Sequence, residues 1–249
     1  MNDRVFFAAG NSKSLAFAAK ELEMRGIVLT DTPSENVTHL LLPTPCKLSG
    51  AELNSVLNAV PPNITVFGGF LDRPELEGYR CTDLLKDEIY LAQNAQITAY
   101  CALNAVAGKL PVTWQDCPVL IVGWGRIGKC FGRLLQTLGA SVSISARKAQ
   151  DRAMITALGF DAEDTEKLNY ILKRYRVIFN TVPFPVLSSG QLAHCRPDCL
   201  KVELASSPGI EGDDVIDARG LPGKFAPETS GKLIARTVLR LCAQKEGSS

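Results

Sequence analysis

Residues 119–138 constrain the fold more than any other segment. An apolar run, Val119-Leu120-Ile121-Val122, leads into Gly123-Trp124-Gly125-Arg126-Ile127-Gly128, and apolar residues then recur at 127, 131, 134, 135 and 138 before Gly139. The first pattern is that of a buried strand, the second that of a helix with one buried face. A second strand-like run, 141–146, follows. In such a strand–turn–helix–strand unit each glycine has its own reason. Gly123 makes the tight turn, Gly125 lets a pyrophosphate approach the backbone, and Gly128 lets the helix pack on the sheet. The helix start, Gly125, Arg126, Ile127 and Gly128, presents free N–H groups to that anion. A glycine-rich turn that binds nothing is the competing reading, and the flanking strand, helix and second strand weigh against it.

The end of the second strand indicates which dinucleotide. A site for NAD needs an acid there to accept hydrogen bonds from the ribose 2′-hydroxyl. Here the chain reads Ser145-Ala146-Arg147-Lys148, with no carboxylate before Asp151. Ser145 and the cations Arg147 and Lys148 suit a 2′-phosphate, so NADP is expected over NAD. A solvated helix start is the bland alternative for the two cations. Asn180-Thr181-Val182-Pro183 closes another strand at the edge where ligands of parallel sheets bind, placing Thr181, Val182 and Pro183 near the nicotinamide.

Around this unit, strands and helices alternate. Strands are expected at 5–9, 27–30, 37–42, 64–67, 119–122, 141–146, 176–180 and 200–204, and helices at 51–58, 88–108, 126–138, 148–158, 164–174 and 189–194. A further helix is capped by Ser14, carries Leu15, Ala18, Ala19 and Leu22, and is ended by Gly26. A last amphipathic helix starts at Pro227, and Gly247-Ser248-Ser249 should fray. The alternation implies an α/β protein of two domains: a C-terminal, Rossmann-type doubly wound parallel sheet and a smaller N-terminal flavodoxin-like domain. The expected division is 1–87 for the N-terminal domain, 88–115 for a linking helix, 116–226 for the dinucleotide domain and 227–249 for a C-terminal helix returning to the first domain. The segment Gly220-Leu221-Pro222-Gly223-Lys224-Phe225-Ala226-Pro227 reads as a glycine–proline loop leading into that last helix.

Composition narrows the function classes. With 27 Lys+Arg against 26 Asp+Glu the chain has no electrostatic footprint for nucleic acid or an anionic membrane. No basic stretch followed by an apolar core opens the sequence. The uncharged stretch 89–108 carries Gln93, Asn94, Gln96, Thr98 and Asn104, which hydrocarbon penalises, so a buried helix is expected. The 8 scattered cysteines then read as reduced small hydrophobes of a cytoplasmic protein. His39, set in an apolar strand, reads as a satisfied core histidine. His194, Cys195 and Cys199 lack paired zinc-ligand spacing, so no metal is expected.

Taken in order, Leu120–Gly128, Ser145-Ala146-Arg147, Asn180-Thr181-Val182-Pro183, Leu204-Ala205-Ser206-Ser207-Pro208-Gly209 and the Gly220–Pro227 loop resemble the family of dipicolinate synthase A subunits. Leu42-Pro43-Thr44-Pro45 and the Asn94 to Thr98-Ala99 pattern fit as well. The resemblance spans 88–244 and is thin before that. It implies a sporulation oxidoreductase that oxidises dihydrodipicolinate to dipicolinate with a pyridine nucleotide, beside a flavoprotein-like B subunit. It also implies a dinucleotide domain similar to that of D-2-hydroxyacid dehydrogenases. The small dicarboxylate substrate would need cations or helix N-termini in a cleft between the domains, for which Thr44, Lys47, Thr98, Ser206, Ser207 and Lys224 are the candidates. No proton acceptor is assigned, and a homo-oligomer is left open. Two departures stand out: the chain is shorter than typical members, and Tyr100 follows Thr98-Ala99 where the family motif usually has glutamate. Turnover of another small carboxylate, or a non-catalytic role in nucleotide binding, are the alternatives.

Overall fold

The computed structural model describes residues 4–246, so the expected fraying of Gly247-Ser248-Ser249 lies outside the described residues. The chain divides into two compact units, one comprising residues up to Asn94 and those from Pro222 onward, the other Ala95–Leu221. No helix is long and apolar enough to cross a membrane among the described residues.

The first unit contains β1 (Val5–Ala8), α1 (Lys13–Met24), β2 (Val28–Thr30), β3 (His39–Leu41), α2 (Gly50–Asn58), β4 (Thr65–Gly68) and β5 (Arg80–Asp83). Its strands pair in parallel in the order β2-β1-β3-β4-β5, the flavodoxin-like arrangement. Phe6, Leu40, Leu41, Val66 and Phe67 fill its interior. His39 stacks on Phe6 at 4.6 Å and on Phe67 at 6.1 Å, and its Nδ1 shares a 2.7 Å hydrogen bond with the Thr38 hydroxyl. The ring is a packing element with a polar edge.

Helix α3 (Glu88–Ala107) begins in the first unit and ends in the second. The second unit contains β6 (Pro118–Val122), α4 (Arg126–Thr137), β7 (Ser141–Ala146), α5 (Ala149–Ala157), β8 (Asp161–Asp164), β9 (Val177–Asn180), α6 (Ser189–Leu192), β10 (Leu200–Glu203) and β11 (Val215–Asp217). Its strand order, β11-β10-β9-β6-β7-β8, is all parallel and is the doubly wound Rossmann order read from the other edge. The switch point lies between β6 and β9, where ligands of such sheets bind. Phe131 of α4 meets Phe179 of β9 edge to face at 4.6 Å, fixing the first helix on the sheet.

Helix α7 (Leu221–Phe225) leads into α8 (Pro227–Glu246), which lies along α1. Gly231 allows the close approach: a Cβ there would lie 2.5 Å from Phe17 Cβ and 2.6 Å from the Ser14 carbonyl oxygen. Asp87 accepts from the Tyr90 amide at 2.7 Å and from Arg240 at 2.6 Å, tying the start of α3 to α8. Burial pushes the Asp87 carboxyl up, but the Arg240 guanidinium and the amide outweigh it and hold it below the ordinary range.

Several local expectations are corrected. Ser12, in extended backbone, is the N-cap of α1, while Ser14 lies inside the first turn with its hydroxyl buried and unpartnered. The expected helix at 164–174 is two 3-10 turns, Thr165–Tyr170 and Leu172–Arg174, because Asp164 caps a tight turn by accepting from the Glu166 amide at 3.1 Å. The expected loop at 220–227 contains the short helix α7. Three edge strands, β5, β8 and β11, fall outside the expected set, since Arg-Cys-Thr-Asp, Asp-Ala-Glu-Asp and Val-Ile-Asp lack an apolar run; a partner on one side is enough to order them.

Replacing Gly231 with Ala should overpack the contact of α1 with α8 and destabilise the protein by about 1–3 kcal/mol, measured as a lower urea midpoint.

Candidate functional site

The turn from β6 into α4 separates the three glycines by geometry. Gly123 has φ +108°, and a Cβ there would lie 2.6 Å from the Thr181 hydroxyl and 2.7 Å from Val182. At Gly128 a Cβ would lie 2.2 Å from the Gly123 carbonyl oxygen, so this glycine closes the helix onto the turn. Gly125 has nothing within 4 Å of a built Cβ and is the N-cap of α4 without a side-chain capping bond. The space beside Gly125, at the start of a twelve-residue helix, is therefore open at the C-terminal edge of the sheet, next to its switch point. That arrangement fits a pyrophosphate. Gly125 and Arg126 are exposed, and Ile127 is half-buried.

At the end of β7 the structure separates the predicted contacts. Ser145 is fully buried, and its hydroxyl accepts from Thr165 at 3.2 Å. Arg147 and Lys148 are exposed, and among the described residues their side chains have no hydrogen bond or ion pair. The nearest acid by register, Asp164 on the adjoining strand, pairs with Arg152 at 3.4 Å and caps the Glu166 amide. The Arg152 guanidinium also donates to the carbonyls of Ala146 and Arg147, bracing the turn from which the two free cations project.

Next to β6, the ends of β9 and β10 are organised by a pair that sequence reasoning overlooked. Glu203 is 3% exposed, yet its carboxylate accepts from Asn180 Nδ2 and from the amides of Ala205 (2.9 Å), Gly209 (2.7 Å) and Ile210 (3.1 Å). Asn180 Oδ1 in turn accepts from the Val182 amide at 2.9 Å, and Thr181 donates to the Val122 carbonyl at 2.9 Å. Thr181 and Val182 are thereby placed against Gly123, with Pro183 exposed beyond them. Gly209 must be glycine, since a Cβ would lie 2.5 Å from both Asn180 Nδ2 and the Phe184 carbonyl oxygen. The signal was available: a lone glutamate ending a buried strand must have its charge met by nearby donors. Ser206 and Ser207 lie on the exposed part of this loop, and Thr98 is buried on α3 at 7% exposure. Tyr100, two residues along, is exposed.

Thr44, Lys47 and Lys224 belong to the first unit. The loops after β1, β3 and β4 meet at the C-terminal edge of its sheet: a Cβ on Gly10 would lie 2.7 Å from Pro43, and one on Gly69 would lie 2.9 Å from Thr44 Cγ2. The Thr44 hydroxyl is buried without a partner, and the Thr44–Pro45 bond is cis. Gly223 comes beside Ser14 in the first turn of α1, which places α7 and Lys224 near that turn. Lys47 and Lys224 are exposed cations without an ion-pair partner among the described residues. The same edge carries Phe70, at φ +60° and with its side chain exposed. Left-handed backbone costs a non-glycine residue roughly 1–2 kcal/mol.

Two parallel sheets in these orders, with an open glycine turn at the switch point of the second, define a two-unit α/β protein whose second unit is a Rossmann-type doubly wound sheet. The chain is 28% identical over 203 residues to the A subunit of dipicolinate synthase from Bacillus subtilis (strain 168), covering 76% of this chain and 68% of that protein. The crystal structure of the Bacillus subtilis protein superposes with a TM-score of 0.81 at 21% identity, covering 100% of this chain and 99% of that one. The corresponding A subunit from Bacillus halodurans gives 0.83 at 20% identity over 96% and 98%. The fold is shared with D-lactate dehydrogenase of Escherichia coli, at a TM-score of 0.63, 11% identity and 98% and 97% coverage. The resemblance carried by the motifs is thus matched in sequence and in fold. No protein-family model matches the chain.

The glycines should respond differently to a side chain. Gly125→Ser, entering open space at an N-cap, should leave thermal stability unchanged or raise it by a few tenths of a kcal/mol. Gly128→Ala should cost about 1–3 kcal/mol or more, because its methyl group meets backbone. Thermal melting of the two variants checks both.

Proposed function

We propose that this protein is an NADP-dependent oxidoreductase that oxidises dihydrodipicolinate to dipicolinate, acting with a flavoprotein-like B subunit. The observation that carries the cofactor reading is the pair of exposed, unpaired cations Arg147 and Lys148 at the end of β7, beside the open N-terminus of α4. The similarity to dipicolinate synthase A subunits supports the reaction.

In this reading the amides of Gly125 to Gly128 hold the pyrophosphate, Arg147 and Lys148 hold the 2′-phosphate, and Thr181, Val182 and Pro183 line the nicotinamide end. Ser145 contributes from beneath by supporting the strand end through Thr165. The nicotinamide, when bound, supplies the hydride acceptor. The substrate loses one hydride and one proton and gains aromaticity, so positioning matters more than a strong base. Lys47 and Lys224 answer the negative charge of the two carboxylates, and Thr44, Thr98, Ser206 and Ser207 are the proposed hydroxyl contacts.

Tyr100 favours one second reading. An exposed phenol stands where the family motif has a carboxylate, which suits a different small carboxylated substrate on the same scaffold.

Incubation of the protein with NADP+ and freshly generated dihydrodipicolinate, with and without the B subunit, should produce NADPH and dipicolinate. Turnover of another carboxylate with none of dihydrodipicolinate would favour the second reading. NADPH binding with no turnover of either substrate would leave a non-catalytic role in nucleotide binding. Arg147→Ala should weaken NADPH binding about ten- to hundredfold, as loss of a charged hydrogen bond does, and change NADH binding by less than about twofold. Equal losses for both would overturn the 2′-phosphate assignment. Gly125→Ser, stable as described above, should lose affinity for both nucleotides.

A further inference from the structure

Among the described residues only Phe70 and Asp116 combine a side chain with positive φ. Asp116 is a short polar residue of the kind that tolerates such backbone; Phe70 is bulky and is a genuine outlier. Its backbone is fixed from both sides. The Gly69 amide donates to the Pro43 carbonyl at 3.2 Å, the Cys46 amide donates to the Gly69 carbonyl at 2.8 Å, and the Leu71 amide donates to Asp83 Oδ2 at 3.0 Å. Leu71 turns inward and is 4% exposed, whereas Phe70 is 57% exposed. The fold thus accepts strain to keep an apolar ring in water.

Strained residues over-determined by their surroundings concentrate at ligand sites. Phe70 follows β4, at the C-terminal edge where parallel sheets take ligands. One residue away, Gly69 abuts Thr44, whose hydroxyl is buried without a partner, and the unpaired Lys47 follows on the same loop. A flat apolar face, an unmatched hydroxyl and a free ammonium occur together on two adjoining loops. A planar ring bearing carboxylates would use the two that are exposed: the ring by offset stacking, the carboxylate by the cation.

We infer that Phe70 is a substrate-positioning residue whose ring is the stacking platform for a planar heteroaromatic dicarboxylate, setting the preference for flat over flexible diacids. The inference rests on the proposed dicarboxylate reading and adds the residue that selects the ring.

The test measures calorimetric binding of pyridine-2,6-dicarboxylate and of glutarate to the full chain, with and without NADPH, together with thermal melting. Wild type should prefer the pyridine ligand. Phe70→Ala should weaken that ligand about three- to tenfold, the range of an aromatic pair, and leave glutarate within about twofold. Phe70→Tyr should retain the preference. Phe70→Asn, whose side chain accepts left-handed backbone, should lose the preference while melting at or above the wild-type temperature. A residue serving only the fold would instead lower the melting temperature in both truncations and weaken both ligands equally, and that result would overturn the inference. A wild type that does not prefer the pyridine ligand would overturn the dicarboxylate reading, and this inference with it. A preferring wild type matched by Phe70→Ala would overturn the stacking role alone.

Discussion

A single buried carboxylate holds the ligand edge of the second unit together. Left without partners in an apolar interior, the Glu203 charge would cost several kcal/mol; here it accepts from the Asn180 amide and from three backbone N–H groups of the following loop. The loop from Ala205 to Ile210 is shaped by the need to bring those amides to one point. Asn180 is in turn held in register with Val122 across the strand ends of β9 and β6. From there the constraint passes through Thr181 to the β6 carbonyl and to Gly123. The glycine turn, the segment from Thr181 to Pro183 and the exposed serines are thus parts of one rigid assembly. Rigidity of this kind is what a site needs if it is to orient a flexible dinucleotide.

The second unit was the more legible in sequence. Its glycines and its apolar strands are each dictated by local backbone or packing requirements, and such requirements leave a spacing. Edge strands leave almost none. β5 and β8 are polar and β11 carries only two apolar residues, so neither alternation nor an apolar run marks them. Ser12 and Ser14 both suit a cap by composition, and only the backbone at Ser12, extended before the first helical turn, decides between them.

The candidate site divides in the same way. Gly123 acts through backbone shape, and the tight turn assigned to it from sequence agrees with its positive φ, whereas Gly128, assigned to helix–sheet packing, is tightest against the turn itself at the Gly123 carbonyl. Residues acting through long-range pairing could not be assigned from sequence. Nothing in the spacing from Asn180 to Glu203 says that their side chains meet, because register between neighbouring parallel strands joins them, not proximity in the chain. Phe70 was equally silent, since a sequence shows an aromatic residue after Gly-Gly but not that its ring faces water on left-handed backbone.

The packing of α8 on α1 bears on how the polypeptide emerges from the ribosome. The second unit is one uninterrupted stretch of chain, whereas the first is closed only by residues that are synthesised after it. During translation the flavodoxin-like sheet is made early, but the surface of α1 around Ser14, Phe17 and Ala18 stays uncovered until the segment containing Gly231 has cleared the exit tunnel. Domains fold as units as they appear. The order of completion is therefore the reverse of the order of synthesis: the second unit can mature while the unit that precedes it still waits for α8.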